Sequence, residues 1–177
     1  CVRSAFSLFD VTFDLLVSGI NQGANISSDV YHSGTLGAVF EGVILGIKGI
    51  ALSGNYYDFS IPKRYAKAVI KTIIDYDLAS LDYAINVNFP ETMTTPKLMI
   101  THQGRAKERA LYKHEEGKLS PLFYRGMDES NMSDLFAYYH EAISITPIKY
   151  DKTDYDTYDK MNKKLSKIED TFYKHIL

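Results

Sequence analysis

The residues best suited to chemistry in this 177-residue chain lie between Ser18 and Gly42, in the stretch SGINQGANISSDVYHSGTLGAVFEG. It leaves a short apolar run, crosses a loop rich in Asn, Ser and Gly, and enters a helix whose first turn is Ser33-Gly34-Thr35. Backbone N–H groups at such a turn have no partner inside the helix, and the helix dipole places partial positive charge there, so the turn is an anion site. Phosphate is its natural guest. The same residue types also fit a plainer reading, in which Ser33 only caps the helix and Gly34 only relieves crowding. Asn21 and Asn25 carry two meanings as well. Their amide oxygens suit a hard cation such as Mg²⁺, and their side chains equally suit closing a turn on their own backbone. Gly37 and Gly42 fall inside the helix and are expected to let it lie close on a sheet.

Several other chemistries are excluded. The chain has no G-x-G-x-x-G dinucleotide fingerprint and no G-x-x-x-x-G-K-[ST] P-loop, and Ser18-Gly19 lacks the G-x-S-x-G of a hydrolase elbow. The five His are scattered, and His114-Glu115-Glu116 lacks the second His of a zincin motif. His102, His140 and Glu141 read as ordinary surface or hairpin residues. Cys1 is the only Cys, so no internal disulfide or structural zinc site is possible, which fits a reducing, cytoplasmic setting. With 20 Lys+Arg against 22 Asp+Glu, the formal charge is −2 and no basic stripe awaits a nucleic-acid polymer. Apolar runs such as Val43 to Leu45 are far too short to cross a membrane. A 20.1 kDa globule is expected to expose about 8,700 Å² and to bury one good core. The opening Cys1-Val2-Arg3 lacks a Met, so the chain reads as a piece of something longer.

The elements that must hold these residues follow from periodicity. Cys1 to Phe9 has the spacing of a helix already under way. Leu15-Leu16-Val17 reads as a buried strand that ends where Ser18 begins a loop running to His32. Leu36, Val39, Phe40, Val43 and Ile44 mark one face of a helix that Gly46 stops. Gly49 to Ser53 is a second strand. A helix capped by Ser60, with Pro62 in its first turn, carries the stripe Ile61, Tyr65, Ala68, Val69, Thr72, Ile73 and Tyr76. Ile85 to Phe89 and Leu98 to His102 are further strands, giving the alternation of a parallel sheet faced by helices. Arg105 to Arg125 reads as a hairpin turning at Glu116-Gly117. Ser133 to Tyr139 is a short helix, Ala142 to Thr146 is a strand that Pro147 ends, and a final helix begins near Thr153. Its seam of Tyr158, Met161, Leu165, Ile168 and Phe172 suits packing on another helix or subunit.

In order and separation, SGINQGAN, DVYHSGTLGAVFEG, GIALS, NVNFP, ITHQGR and ISITP resemble the SurE family of stationary-phase survival nucleotidases, across Cys1 to about Pro147. The resemblance implies a Rossmann-like α/β fold: three layers, a parallel sheet with helices on both faces, a protruding β-hairpin and a C-terminal helix. It divides the chain into the later part of the core (1–104), the hairpin (105–132), a returning helix and strand (133–150) and a terminal helix (151–177) exchanged between subunits of a homodimer or tetramer. It implies a phosphatase acting on nucleoside 5′- and 3′-monophosphates and on short polyphosphate, with one Mg²⁺ or Mn²⁺. Within it, Asn21 is a metal ligand, and Asn25, Ser33, Gly34 and Thr35 line the phosphate pocket. His32 stands where many relatives have Tyr. The family holds its metal mainly through an adjacent Asp pair, and no Asp-Asp occurs in these 177 residues. The expectation is therefore an N-terminal portion missing and a fragment inactive by itself; otherwise the chain is a phosphate- or nucleotide-binding module without catalysis. The catalytic residues are not identified by the resemblance.

Overall fold

The computed structural model describes residues 1–9, 11–106, 108–115, 117–126 and 130–176. A five-stranded sheet in the order β1-β2-β3-β7-β4 forms its centre, built from β1 (Leu15–Gln22), β2 (Lys48–Gly54), β3 (Ala84–Asn88), β4 (Leu98–Ile100) and β7 (Ile143–Ile148). β1, β2 and β3 run parallel, whereas β7 is antiparallel to β3 and β4 runs with β7. The sheet is thus mixed rather than wholly parallel. Apolar pattern reports that a strand is buried and not which way it runs.

Helices cover both faces, as the class requires. Successive β2 residues point in opposite directions. Ile50 and Leu52 join Ile85, Val87, Val69 and Ile73 under α3 (Ser60–Asp75), while Ala51 joins Leu36, Val39 and Val43 of α2 (Gly34–Ile44). Of the expected α2 stripe, Leu36, Val39 and Val43 are buried, Phe40 is half-buried and Ile44 is 53% exposed. Of the two glycines expected to bring α2 close, only Gly42 does so: a Cβ there would meet Leu16 at 3.1 Å, whereas Gly37 faces open space. At α3 the cap differs from expectation. Ser60 is the first helical residue, and its backbone N–H and hydroxyl both donate to the Asp58 carboxylate.

Several strand boundaries depart from the pattern reading, three of them at sites that matter here. β1 continues through Ser18 to Gln22, β4 stops at Ile100, and β7 runs past Pro147 to Ile148. Pro147 is tolerated because β4 ends level with Ile145, so on that side no neighbour needs its missing N–H. Beyond the sheet, β5 (Glu108–Glu115) and β6 (Lys118–Arg125) pair with each other as the expected hairpin, with Gly117 at φ +76° in the turn. The expected turn residue Glu116 lies outside the described residues. α1 (Val2–Leu8) and α4 (Asp134–Tyr139) flank the core, and the expected single terminal helix is two, α5 (Tyr155–Asn162) and α6 (Leu165–Ile176). Among the described residues, every seam position on them is half exposed or nearly so.

Candidate functional site

The loop that carries the candidate residues begins with an irregularity in β1. Ser18 pairs with Ala51 but Asn21 pairs with Ser53, so β1 uses one residue more than β2 over this span. Such a bulge re-aims the side chains that follow it. Gly19 permits the bulge: its φ is +117°, and a Cβ there would lie 2.2 Å from the Leu52 carbonyl oxygen. No side chain fits at that distance. Beyond the bulge, Asn21 closes a tight turn through a 2.8 Å bond from Nδ2 to the Gly23 carbonyl, which leaves Oδ1 facing away from that bond.

Asn25 sits in a buried polar cluster that pattern reading missed. Its backbone N–H donates to Asn88 Oδ1 at 2.7 Å, and its carbonyl accepts from Asn86 Nδ2 at 2.8 Å and Asn88 Nδ2 at 3.2 Å. Its own Nδ2 donates to Ser53 Oγ at 2.7 Å. Ser53, Asn86 and Asn88 are fully buried. Buried amides are retained where they are hydrogen-bonded, and this set anchors the loop to the carboxyl ends of β2 and β3. The signal was present in the sequence: Asn86 and Asn88 alternate along a strand otherwise made of apolar residues.

From Asn25 the chain passes through a 3-10 helix, Ser27–His32, into Ser33 at the N-cap of α2. Ser33 Oγ accepts from Leu36 N at 3.1 Å, so the capping role is real. The amides of Gly34 and Thr35 precede the first residue that can bond back within the helix. Gly34 is exposed, and a Cβ there would meet nothing within 4 Å, so it relieves no crowding. The turn is open, with two donors and the Thr35 hydroxyl. All five candidates, Asn21, Asn25, Ser33, Gly34 and Thr35, thus lie on one continuous path from the end of β1 to the start of α2.

Beside this path lies a cleft of about 770 Å³, between the 3-10 helix and the segment after β4. Ser27 and Tyr31 line one wall, and His102, Gln103 and Arg105 line the other. Asp134, at the start of α4 and fully buried, lies beneath it. Its carboxylate accepts from Gly104 N at 2.8 Å and from Ser27 N at 3.2 Å, tying the two walls together. Burial pushes the Asp134 carboxyl above its ordinary value, against the opposing pull of those amides. Sequence reading gave no role to Asp134 or to His102, because only folding brings positions 27, 104 and 134 together.

The divalent ion implied by the resemblance does not find a sufficient site here. Among the described residues no group of three or more His, Cys, Asp or Glu is placed to hold a metal. Asn21 offers one neutral oxygen, and Mg²⁺ and Mn²⁺ are held mainly by carboxylates.

Comparison with known proteins accounts for the architecture. The family model described as Survival protein SurE matches residues 1–110. The "5'-nucleotidase SurE" of Acinetobacter baylyi is 34% identical over 84% of this chain and 66% of its own length. That of Syntrophomonas wolfei is 34% identical over 94% of this chain and 67% of its own length. The chain therefore spans about two thirds of the length of these relatives. The crystal structure of the Aquifex aeolicus SurE protein superposes with a TM-score of 0.75 at 26% identity, covering 92% of this chain and 71% of that one. On sequence and fold alike, this chain belongs to the SurE family.

Proposed function

We propose that this protein is a phosphatase of nucleoside 5′-monophosphates, with the phosphate seated at the N-terminus of α2. The observation that carries the reading is the open Ser33-Gly34-Thr35 turn, with its unshared amides and exposed Gly34, in a chain whose relatives are named 5'-nucleotidase. The amides of Gly34 and Thr35 and the Thr35 hydroxyl would hold equatorial phosphate oxygens and stabilise the charge that spreads over them during transfer to water. Ser33 orients the turn through its bond to Leu36. Asn25, fixed by Asn86 and Asn88, sets where the loop leaves the sheet. The proposal extends to 3′-monophosphates and short polyphosphate and to a cytoplasmic setting. It also includes dependence on one Mg²⁺ or Mn²⁺ with Asn21 Oδ1 among its ligands, whose carboxylate ligands the described residues do not supply.

Release of inorganic phosphate from AMP by the full-length protein, with and without Mg²⁺ or Mn²⁺, tests this reading. Metal-dependent release is expected. AMP binding without release would establish the binding-module alternative, which the absence of a carboxylate cluster among the described residues favours.

A further inference from the structure

We propose that the cleft between the 3-10 helix and the segment after β4 holds the nucleoside half of the substrate, with the Tyr31 ring as the platform for the base. This rests on the phosphate reading above and names the part of the site that would select nucleotides from other phosphomonoesters. The cleft's volume of about 770 Å³ falls within the ordinary range for small-molecule sites. Tyr31 lines it only two residues ahead of Ser33, so a ligand whose phosphate meets the α2 turn has the cleft beside it.

The lining suits a planar, polar-edged ligand. A phenol ring, an imidazole and a guanidinium supply flat surfaces, the Gln103 amide and nearby hydroxyls supply hydrogen-bonding groups, and no acidic residue lines it among the described residues. A base can therefore stack and be read at its edge without repelling the phosphate. The walls are fixed in advance. Ser27 alone receives the Gln103 amide at its carbonyl at 2.8 Å, donates its hydroxyl to the Gly104 carbonyl at 3.2 Å, and gives its N–H to Asp134. Lys152 Nζ lies 4.2 Å from the Tyr31 ring centroid and pins the ring from one side. A cleft whose walls are tied this way binds without ordering them first.

The test uses the full-length protein, with steady-state kinetics on AMP and on glycerol 2-phosphate, which has no ring to stack, and calorimetric binding of AMP. Tyr31 is 57% exposed, so Tyr31→Ala is tolerated by the fold, and Tyr31→Phe keeps the ring. Tyr31→Ala should raise KM for AMP, or weaken AMP binding, by about tenfold while hydrolysis of glycerol 2-phosphate is unchanged. Tyr31→Phe should match the wild type, and adenosine should compete with AMP about tenfold more weakly for Tyr31→Ala than for the wild type. Equal effects on both substrates, or none on either, overturn the nucleoside cleft and leave the phosphatase reading standing. A wild type that cleaves glycerol 2-phosphate yet neither cleaves nor binds AMP overturns the cleft together with the nucleotide reading.

Discussion

Asn88 shows how much a single buried side chain does here. Its amide group meets both the N–H and the carbonyl of Asn25, so Asn88→Ala leaves a buried donor unpaired while Asn86 still serves the carbonyl. A loss of about 1–3 kcal/mol is expected in denaturant unfolding. Asn25→Ala should cost less, because it removes only the bond to Ser53 and leaves the backbone clamp intact. A larger loss for Asn25→Ala would show that its side chain, and not its backbone, anchors the loop. Asp134 gives a pH signature. Its carboxyl titrates higher when folded than when unfolded, so ionising it works against the fold. Its contribution is present below the ordinary carboxylate range and is lost as pH rises towards the raised value. Asp134→Asn should remove that segment of falling stability from the pH profile; an unchanged profile would mean that Asp134 does not titrate there. Such residues were only partly legible in advance. Asn21, Asn25 and the Ser33 turn stand close together in the chain, whereas Asp134 acts on positions 107 and 30 residues away.

At the scale of elements, α2 offers an internal comparison. Its two glycines look alike in sequence, yet Gly42 is pressed against Leu16 and Gly37 faces open space. Gly37→Ala should stabilise the helix by about 0.5–1 kcal/mol, the ordinary cost of glycine in a helix interior. Gly42→Ala should gain nothing or destabilise, as Leu16 must move. Thermal unfolding of both variants checks the pair, and equal gains would contradict the packing described. The helices, the hairpin and the layering could be read from periodicity because apolar faces dictate them. The bulge in β1 could not: Ser18-Gly19-Ile20-Asn21 has the composition of a loop, and only the approach to the Leu52 carbonyl shows why Gly19 lies within a strand. Strand direction was only partly hidden: β7 alternates Ile with Ser144 and Thr146, the pattern of an antiparallel strand, although all its residues but Pro147 are buried.

As a whole the molecule exposes 12302 Å², well above the roughly 8,700 Å² of a compact protein of its mass. Among the described residues the hairpin pairs only with itself, and the terminal helices leave Tyr158, Met161, Leu165, Ile168 and Phe172 uncovered. We propose that a second copy covers this seam in a homo-oligomer. Sedimentation of the full-length protein against a version ending at Tyr150 should then show a larger particle only for the former. Equal sizes would remove the tail from the interface. The central claim, a phosphate held by the backbone at the start of α2, has a more direct test. Gly34 is the first helical residue, where proline is accepted, and Ser33 before it already has the extended conformation that proline demands, φ −80° and ψ 115°. Gly34→Pro therefore deletes one amide donor and keeps the helix, whereas Gly34→Ala keeps the donor. The measurement is kcat/KM for phosphate release from AMP by the two variants and the wild-type full-length protein. The account predicts a fall of about 100-fold for Gly34→Pro, with unchanged unfolding and a far smaller fall for Gly34→Ala. Wild-type turnover by Gly34→Pro would contradict it.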